Sequence, residues 1–363
     1  MNIDIIIVNF WSSHDVAQCL ARLGSWTHGI VWVVDNSQDT AEAQQLQVVC
    51  AGLGWVRVII AGENLGFGQG CNLAFAQSSA DMVLLLNPDA GISPDSIDTL
   101  IYTLQNEPHL AAVAPRMYWN PSRSFLLPLA TAQTPYANMT NSLASWSRSG
   151  ARLLAERHLP RMQSQLQPLA TPFVVPMLAG AILLLRRQAV LSAGGLFDPG
   201  YFMFFEDADL SLRLRRVGYS LAMVPAASAE HAYRHKAFKC GMMAISQHQY
   251  FKKNYPRFYH WSDGLARVAA LARPIEISDW FNCLPNPVNT AQEFATHTNN
   301  GKVLAFSPSM LMTPTLFRPS FAEAKTFTEE EWNLLEPACY VALIQGSVSN
   351  SRPEWFHFER SNV

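Results

Sequence analysis

Four short runs of Ile, Val and Leu, each closing on polar or acidic residues, constrain this chain more than any other feature. They span residues 3–8, 30–34, 56–60 and 82–86. An unbroken apolar run of that length suits a parallel strand covered on both faces, because both alternating sides then need apolar side chains. Between the first two runs lies a helical stretch with Val16, Leu20 and Leu23 on one face. After the fourth, Ser93 stands as N-cap and Pro94 at the first helical position, ahead of Ile97, Leu100, Ile101 and Leu104. This alternation predicts right-handed βαβ units and an α/β fold with a mostly parallel sheet flanked by helices. Ligands of such sheets bind beyond the carboxyl ends of the strands. There stand Asn9, Phe10 and Trp11, then Asp35, Asn36 and Ser37, then Glu63 and Asn64 leading to Gly66, and finally Asn87, Pro88 and Asp89. A purely structural sheet also needs turn residues at these places, but four polar ends on one rim suggest a binding edge.

The rest of the chain is less regular. Residues 115–178 are proline-rich and carry Arg148, Arg152, Arg157 and Arg161 among Leu153, Leu154 and Leu159. That pattern fits an ordinary solvated helix, or a stretch lying on a membrane surface or holding a lipid diphosphate. Regular structure resumes with an apolar strand over 180–187 and a charged helix over 206–218. A strand over 221–224 then ends at Pro225, and a helix over 240–255 is stopped by Pro256. From about Trp261 the texture turns to Pro- and Asn-rich connections, with a helix start at Thr328 capped reciprocally by Glu331 and strands over 340–344 and 355–358. The expected division is a domain over 1–260 and a C-terminal extension over 261–363, of α+β type and unknown role.

With 49 % hydrophobic and 15 % charged residues, the chain has ample core material. A net charge of −2 gives no global pull toward nucleic acid. The six cysteines include no C-x-x-C pair, so neither a disulfide framework nor a zinc site is expected. The amino terminus is strand-like, and no run of eighteen apolar residues occurs. A cytoplasmic protein is expected, with peripheral contact at the inner face of the membrane through residues 148–161, and the sequon at Asn138 carries little weight.

Three places could do chemistry. Asp89 follows an apolar strand directly and suits a hard cation such as Mg²⁺ or Mn²⁺, although Asn87–Asp89 also reads as a plain turn. Glu206, Asp207 and Asp209 open a helix, where the dipole favours negative charge; helix capping and an Asp209–Arg213 pair are the plainer alternative to a functional acid. The aromatic run over 201–205 just before them would partly dehydrate these acids, raising their pKa and making better bases. His231 follows in a loop with Arg234, His235 and Lys236, a cationic group fit for phosphates. The glycine-rich stretch over 64–74 invites a dinucleotide-binding reading with Asp89 as the ribose acid. It follows the third strand rather than the first, however, and misses the G-x-G-x-x-G spacing. There is no P-loop motif, and an oxidoreductase would need a glycine turn after the first strand, where IIIVNFWSS offers none.

In order, the chain reads IIIVNF, VVDNSQD, NLGFGQGCNLA, LLLNPDA, AGAILLLRR, GGLFDPGYFMFFEDADLSLRLRRVGY and EHAYRH. Together these segments, over residues 3–258, resemble glycosyltransferase family 2, in its rhamnosyltransferase-like branch. The resemblance implies a GT-A fold, a Rossmann-like sheet with flanking helices, and sugar transfer with inversion from a nucleotide-diphosphate donor. The acceptor would be a hydroxyl of a glycan or lipid-linked saccharide in cell-surface polysaccharide synthesis, and dTDP-rhamnose is the first donor to try. By matched position, Asn9 and Asp35 would face nucleobase and ribose, with Asn64 and Gly66 near them. Asp89 would be the surviving acid of the D-x-D metal motif, with Asn87 at its first position able to bond a ribose hydroxyl. His231 would be the second protein ligand to Mg²⁺ or Mn²⁺, Asp207 the general base, and Glu206 an orienting group. The alternative is a catalytically silent sugar-nucleotide or glycan-binding module, against which the intact Asp207 and His231 stand.

Overall fold

The computed structural model describes residues 2–144, 171–231, 239–259, 261, 264, 281–285, 287–308, 315–346 and 353–361. The arginines over 148–161 and the cationic residues at 234–236 lie outside these.

The amino-terminal part opens with β1 (Ile3–Asn9), α1 (Ser13–Leu23), β2 (Val31–Asp35), α2 (Thr40–Cys50), β3 (Val56–Ile60), α3 (Gly66–Gln77) and β4 (Met82–Leu86). The short β5 (Ala90–Ile92), α4 (Pro94–Asn106) and β6 (Leu110–Tyr118) follow. Then come α5 (Pro135–Ala144), β7 (Phe173–Val175), β8 (Ile182–Arg186), α6 (Arg187–Ser192), α7 (Glu206–Arg216), β9 (Ser220–His231) and α8 (Lys239–Asn254). The strands form one mixed sheet in the order β3-β2-β1-β4-β8-β6-β9-β5, with β7 also on β9. The first four are mutually parallel, as their apolar runs predict; β8 enters antiparallel between β4 and β6.

The continuous apolar runs have their reason in the two layers that cover them. Ile3, Ile5 and Ile7 of β1 pack with Val16, Leu20 and Leu23 of α1, Leu46 of α2 and Leu100 and Leu104 of α4. Ile6 and Val8 point the other way, into Cys71, Ala74 and Phe75 of α3 and Leu210 and Leu214 of α7. Period-two alternation thus feeds two cores at once. Helix α4 begins as its sequence predicts, with the Ser93 hydroxyl accepting from the Ser96 N–H and Pro94 in the first turn.

One boundary differs in a way that matters. The strand expected to end before Pro225 runs on to His231. Proline cannot donate to a ladder, but β9 carries a register shift there: Val224 pairs with Pro115, and pairing with β6 resumes only at Ser228 with Arg116. Pro225 falls within that bulge. Beyond it the strand pairs antiparallel with β5, Ala90 facing His231. His231 is therefore a strand-end residue rather than part of a free loop.

The C-terminal part has its own five-stranded sheet, in the order β10-β14-β13-β11-β12, from β10 (Asn282–Cys283), β11 (Lys302–Ser307), β12 (Leu316–Phe317), β13 (Ala338–Gln345) and β14 (Glu354–Arg360). Helices α9 (Ala291–His297) and α10 (Glu329–Leu334) pack on it. Its core also takes in Trp119, Phe125 and Leu127 from just after β6. Leu126 and Phe317 exchange backbone hydrogen bonds of 2.8 and 3.2 Å. The two parts thus share a core.

Candidate active site

Asn9 and Asp35 end neighbouring parallel strands in register, which sets them side by side. Both are buried; the Asn9 amide donates to Asp35 Oδ1 at 3.1 Å and to Glu42 Oε1 at 3.1 Å. The Asn9 side-chain Oδ1 in turn accepts from the backbone N–H and hydroxyl of Ser12, at 3.1 and 2.9 Å. Asp35 Oδ1 also accepts from the Ser37 N–H at 3.0 Å. Glu42 is a residue that sequence reasoning passed over. It sits three after the N-cap Asp39, where a carboxylate normally reads as a cap, yet it reaches across to Asn9 and to Ser13.

The glycine-rich stretch is a packing device. Gly66 has φ +76°, and a Cβ there would lie 2.0 Å from the Phe202 carbonyl oxygen. Its N–H is held by Asn64 Oδ1 at 3.0 Å, and its carbonyl accepts from the buried Asn36 amide at 2.9 Å. Two residues further, a Cβ on Gly68 would lie 3.7 Å from that of Glu206. The missing side chains therefore let α3 lie against the segment that carries the candidate acids.

That segment is strained. Phe204 and Phe205 both adopt left-handed backbone, φ +69° and +64°, directly before Glu206. Such conformations cost about 1–3 kcal/mol each unless their surroundings enforce them. Here the Phe67 N–H bonds the Phe202 carbonyl at 3.1 Å, the Ser246 hydroxyl bonds the Met203 carbonyl at 2.6 Å, and the Phe205 ring packs on Tyr250.

The three acids at the head of α7 separate into two roles. Asp209 is fully buried and ion-paired with Arg213 at 2.7 Å and Lys253 at 2.8 Å, with the Asn254 amide at 3.0 Å. Arg213 also donates to the carbonyls of Ala193, Gly195 and Leu196. This is the structural pairing that the spacing allowed. Glu206 and Asp207 remain. Glu206 is buried with Oε2 unpartnered, and burial together with the adjacent Asp207 charge holds its carboxyl above the usual range. Asp207 is also raised by burial, against the Gly180 and Ala208 N–H groups that bond its two oxygens at 3.2 and 2.8 Å.

At the end of β4, the Asn87 N–H is held by the Ala181 carbonyl at 2.8 Å, next to the Gly180 that touches Asp207. The Asn87 amide lies 3.5 Å from His231 Nε2, and Asp89 Oδ1 lies 3.4 Å from that same nitrogen. The pairing of β5 with the unexpectedly long β9 brings this histidine back to Asp89. Asn87 Oδ1 is buried without a partner. Among the described residues no cluster of three His, Cys, Asp or Glu forms a complete cage for a metal. A carboxylate, an imidazole and an orphaned amide oxygen do suit a hard cation whose remaining positions go to phosphate oxygens and water.

A sheet of this kind, with acids and amides gathered at the strand ends, offers a polar binding edge beyond the carboxyl ends of its parallel strands. The model of Glycosyltransferase like family 2 matches residues 4–249, and the chain belongs to that family. Its mixed α/β sheet with helices on both faces is the GT-A architecture. It is 33 % identical over 204 residues to the N-acetylglucosaminyl-diphospho-decaprenol L-rhamnosyltransferase of Mycobacterium tuberculosis, covering 51 % of this chain and 61 % of that one. It is 26 % identical over 238 residues to rhamnosyltransferase WbbL of Escherichia coli, covering 64 % of this chain and 83 % of the other. A solved structure, the mannosyltransferase PcManGT of Pyrobaculum calidifontis in complex with GDP-Man and Mn²⁺, is similar with a TM-score of 0.49 at 14 % identity, covering 76 % of each chain. The chain thus spans about 61 % of the length of the mycobacterial relative.

Proposed function

We propose that this chain transfers a sugar, with inversion, from a nucleotide-diphosphate donor to an acceptor hydroxyl of a glycan or lipid-linked saccharide. The observation that carries this is Asp207: a carboxylate raised by burial, fixed by two N–H groups, beside a strained segment and one residue away from the Asn87 anchor through Gly180 and Ala181. The acceptor oxygen attacks the anomeric carbon while Asp207 takes its proton, and the bond from that carbon to the diphosphate oxygen breaks with its electron pair. Attack opposite the leaving group inverts the centre. Glu206, buried next to Asp207 in the chain, orients a sugar hydroxyl with its unpartnered oxygen. Asn9 and Asp35, with Asn64 and Gly66 beside them, line the base and ribose end; Asn87 bonds the ribose. Asp89 and His231 would hold Mg²⁺ or Mn²⁺, which when bound offsets the negative charge of the departing diphosphate.

Both relatives are named rhamnosyltransferases, so rhamnose is the first sugar to test, with dTDP-rhamnose as the donor; the mycobacterial name makes a diphosphate-linked saccharide the first acceptor. Among the described residues no helix is long and apolar enough to cross a membrane. Cytoplasmic placement, with peripheral contact through residues 148–161, stays part of the proposal. The test is nucleoside diphosphate release from a panel of UDP-, GDP- and dTDP-sugars with Mg²⁺ or Mn²⁺, wild type against Asp207→Asn. One donor should turn over, and both chelator and the substitution should abolish it. Binding without turnover, in the presence of a competent acceptor, would favour the silent module; no binding of any sugar nucleotide would sink the proposal.

A further inference from the structure

The strand ends that carry Asp89 and His231 are flanked by arginines that the transfer chemistry above does not use. Arg22, in the last turn of α1, lies against β5: a Cβ on Gly91 would fall within 1.6 Å of its guanidinium. Burial pushes the Cys19 thiol beside it up to about 12, with Arg22 opposing and Asp89 adding, which places both charges around the same turn of α1. Arg22 reaches Glu230 Oε2 at 3.7 Å, while Arg123 reaches Glu230 Oε1 at 3.4 Å. Glu230 pairs across the ladders with Gly91 on one side and Tyr118 on the other, one residue before His231. The guanidinium groups of Arg123 and Arg116 stand 5.5 and 5.7 Å from the centre of the Tyr118 ring. Two arginines therefore hold one carboxylate, and a third stands against the aromatic ring beside it.

Ordinary surface ion pairs contribute little and would need no scaffold. This group has one. Arg123 has φ +55°, and its turn is built on the fully buried Asn120. The Asn120 side-chain Oδ1 accepts from the Ser124 N–H at 3.0 Å and from its hydroxyl at 3.1 Å, and its amide donates to the Ser122 hydroxyl at 2.6 Å. A left-handed non-glycine residue on an over-determined turn is the kind of strain that accompanies a presented side chain. Arg22 and Arg123 keep 45 and 50 % of their side-chain surface exposed, so their forks are open to a ligand.

We infer that Arg22, Arg123 and Arg116 form a second phosphate-binding place, distinct from the one served by Asp89 and His231, which takes the diphosphate of a lipid-linked acceptor. The inference rests on the transferase reading; the mycobacterial relative is named for an acceptor that carries a diphosphate. Donor and acceptor would then approach the strand ends from two anionic directions, and Glu230 keeps the unliganded arginines from repelling each other.

The test is calorimetric titration of geranyl diphosphate into the full chain already saturated with Mg²⁺ and the nucleoside diphosphate that the donor panel selects. Wild type should take up one further equivalent. The double substitution Arg22→Gln with Arg123→Gln should weaken it by about tenfold or more, as expected for losing hydrogen bonds between charged groups. Nucleoside diphosphate affinity should stay unchanged. Glu230→Gln should instead tighten geranyl diphosphate several-fold, a gain that a misfolded variant would not show. Displacement of the nucleoside diphosphate by geranyl diphosphate would assign the arginines to the donor, and equal binding of geraniol would assign the effect to the tail; either overturns the inference. So would unchanged affinity in the double variant. Failure of the wild type to bind any nucleoside diphosphate would bring down the transferase reading first, and this one with it.

Discussion

At Asp207 a carboxylate accepts two N–H groups and still lies above the usual carboxylate range, because burial outweighs them. A base must be ionised to act. The acid limb of kcat/KM against pH should therefore fall above the ordinary carboxylate pKa of about 4, with activity rising toward neutrality. Asp207→Asn should remove that limb and cost on the order of 10²–10⁴ in rate while leaving donor affinity close to wild type. Glu206 is shifted the same way. Its pKa is raised by burial and by Asp207, so the folded chain holds the proton more tightly than the unfolded one. Stability from this group is present at low pH and declines as pH rises through the window between the two values. Glu206→Gln should accordingly raise Tm at neutral pH, by about 0.5–2 kcal/mol of stability, while lowering transfer. Thermal melts at two pH values and an assay on the same sample would decide it; a lower Tm would show that the carboxylate supports the fold.

At the scale of elements, α3 and α7 meet through the absence of side chains. Gly66→Ala places a methyl group on the Phe202 carbonyl and a Cβ at φ +76°. The expected cost is about 1–3 kcal/mol, with activity lost more steeply than stability because the 202–205 segment must shift away from Glu206 and Asp207. A melt and a donor-hydrolysis assay check both, and activity matching wild type would mean the segment tolerates the shift. Helix α7 is locked separately. Removing Arg213 leaves the buried Asp209 with Lys253 and Asn254 but frees the carbonyls of residues 193, 195 and 196. Arg213→Ala should destabilise by about 3–5 kcal/mol, read from chemical denaturation.

Across the molecule, the C-terminal sheet is tied to the first by aromatic packing. Phe306 meets Trp119 and Phe125 at ring distances of 5.0 and 4.9 Å, and Arg318 lies 4.2 Å from the Phe125 ring. Arg318 is paired with Glu331 at 3.0 Å, both almost fully buried, and the same carboxylate closes the capping box with Thr328. Burial alone would raise Glu331, but hydrogen bonds from Arg318, Ser124 and the Thr328 N–H, with the Arg318 charge, together outweigh it and hold its pKa below the ordinary value. The stability it provides is thus present above the unfolded carboxylate pKa and is lost as pH falls through the lowered one. Arg318→Met should cost about 3–5 kcal/mol by leaving that carboxylate unpaired, and should flatten the acid dependence of unfolding. Residues 1–260 expressed alone would expose Trp119, Phe125 and Leu127. We expect them to be less stable than the full chain, and equal Tm values would show that the first sheet needs no partner.

The first four strands, α1, α4 with its Ser93 cap, the head of α7 and the Thr328 capping box were all legible in the sequence, because each is written in local period and cap chemistry. So were the polar strand ends, since parallel strands in βαβ order bring their carboxyl ends to one rim. What pairs with what was not legible. The antiparallel entry of β8, the bulge that carries β9 past Pro225 to His231, and the reach of Glu42 to Asn9 depend on contacts between residues far apart in sequence. The spacing E-D-A-D already offered Asp209 an Arg213 partner one turn on, but the further pairing with Lys253 and Asn254 that buries it came only from packing. Local pattern determines which segments form and which ends are polar; long-range packing alone decides which carboxylates lose their water and which find a partner.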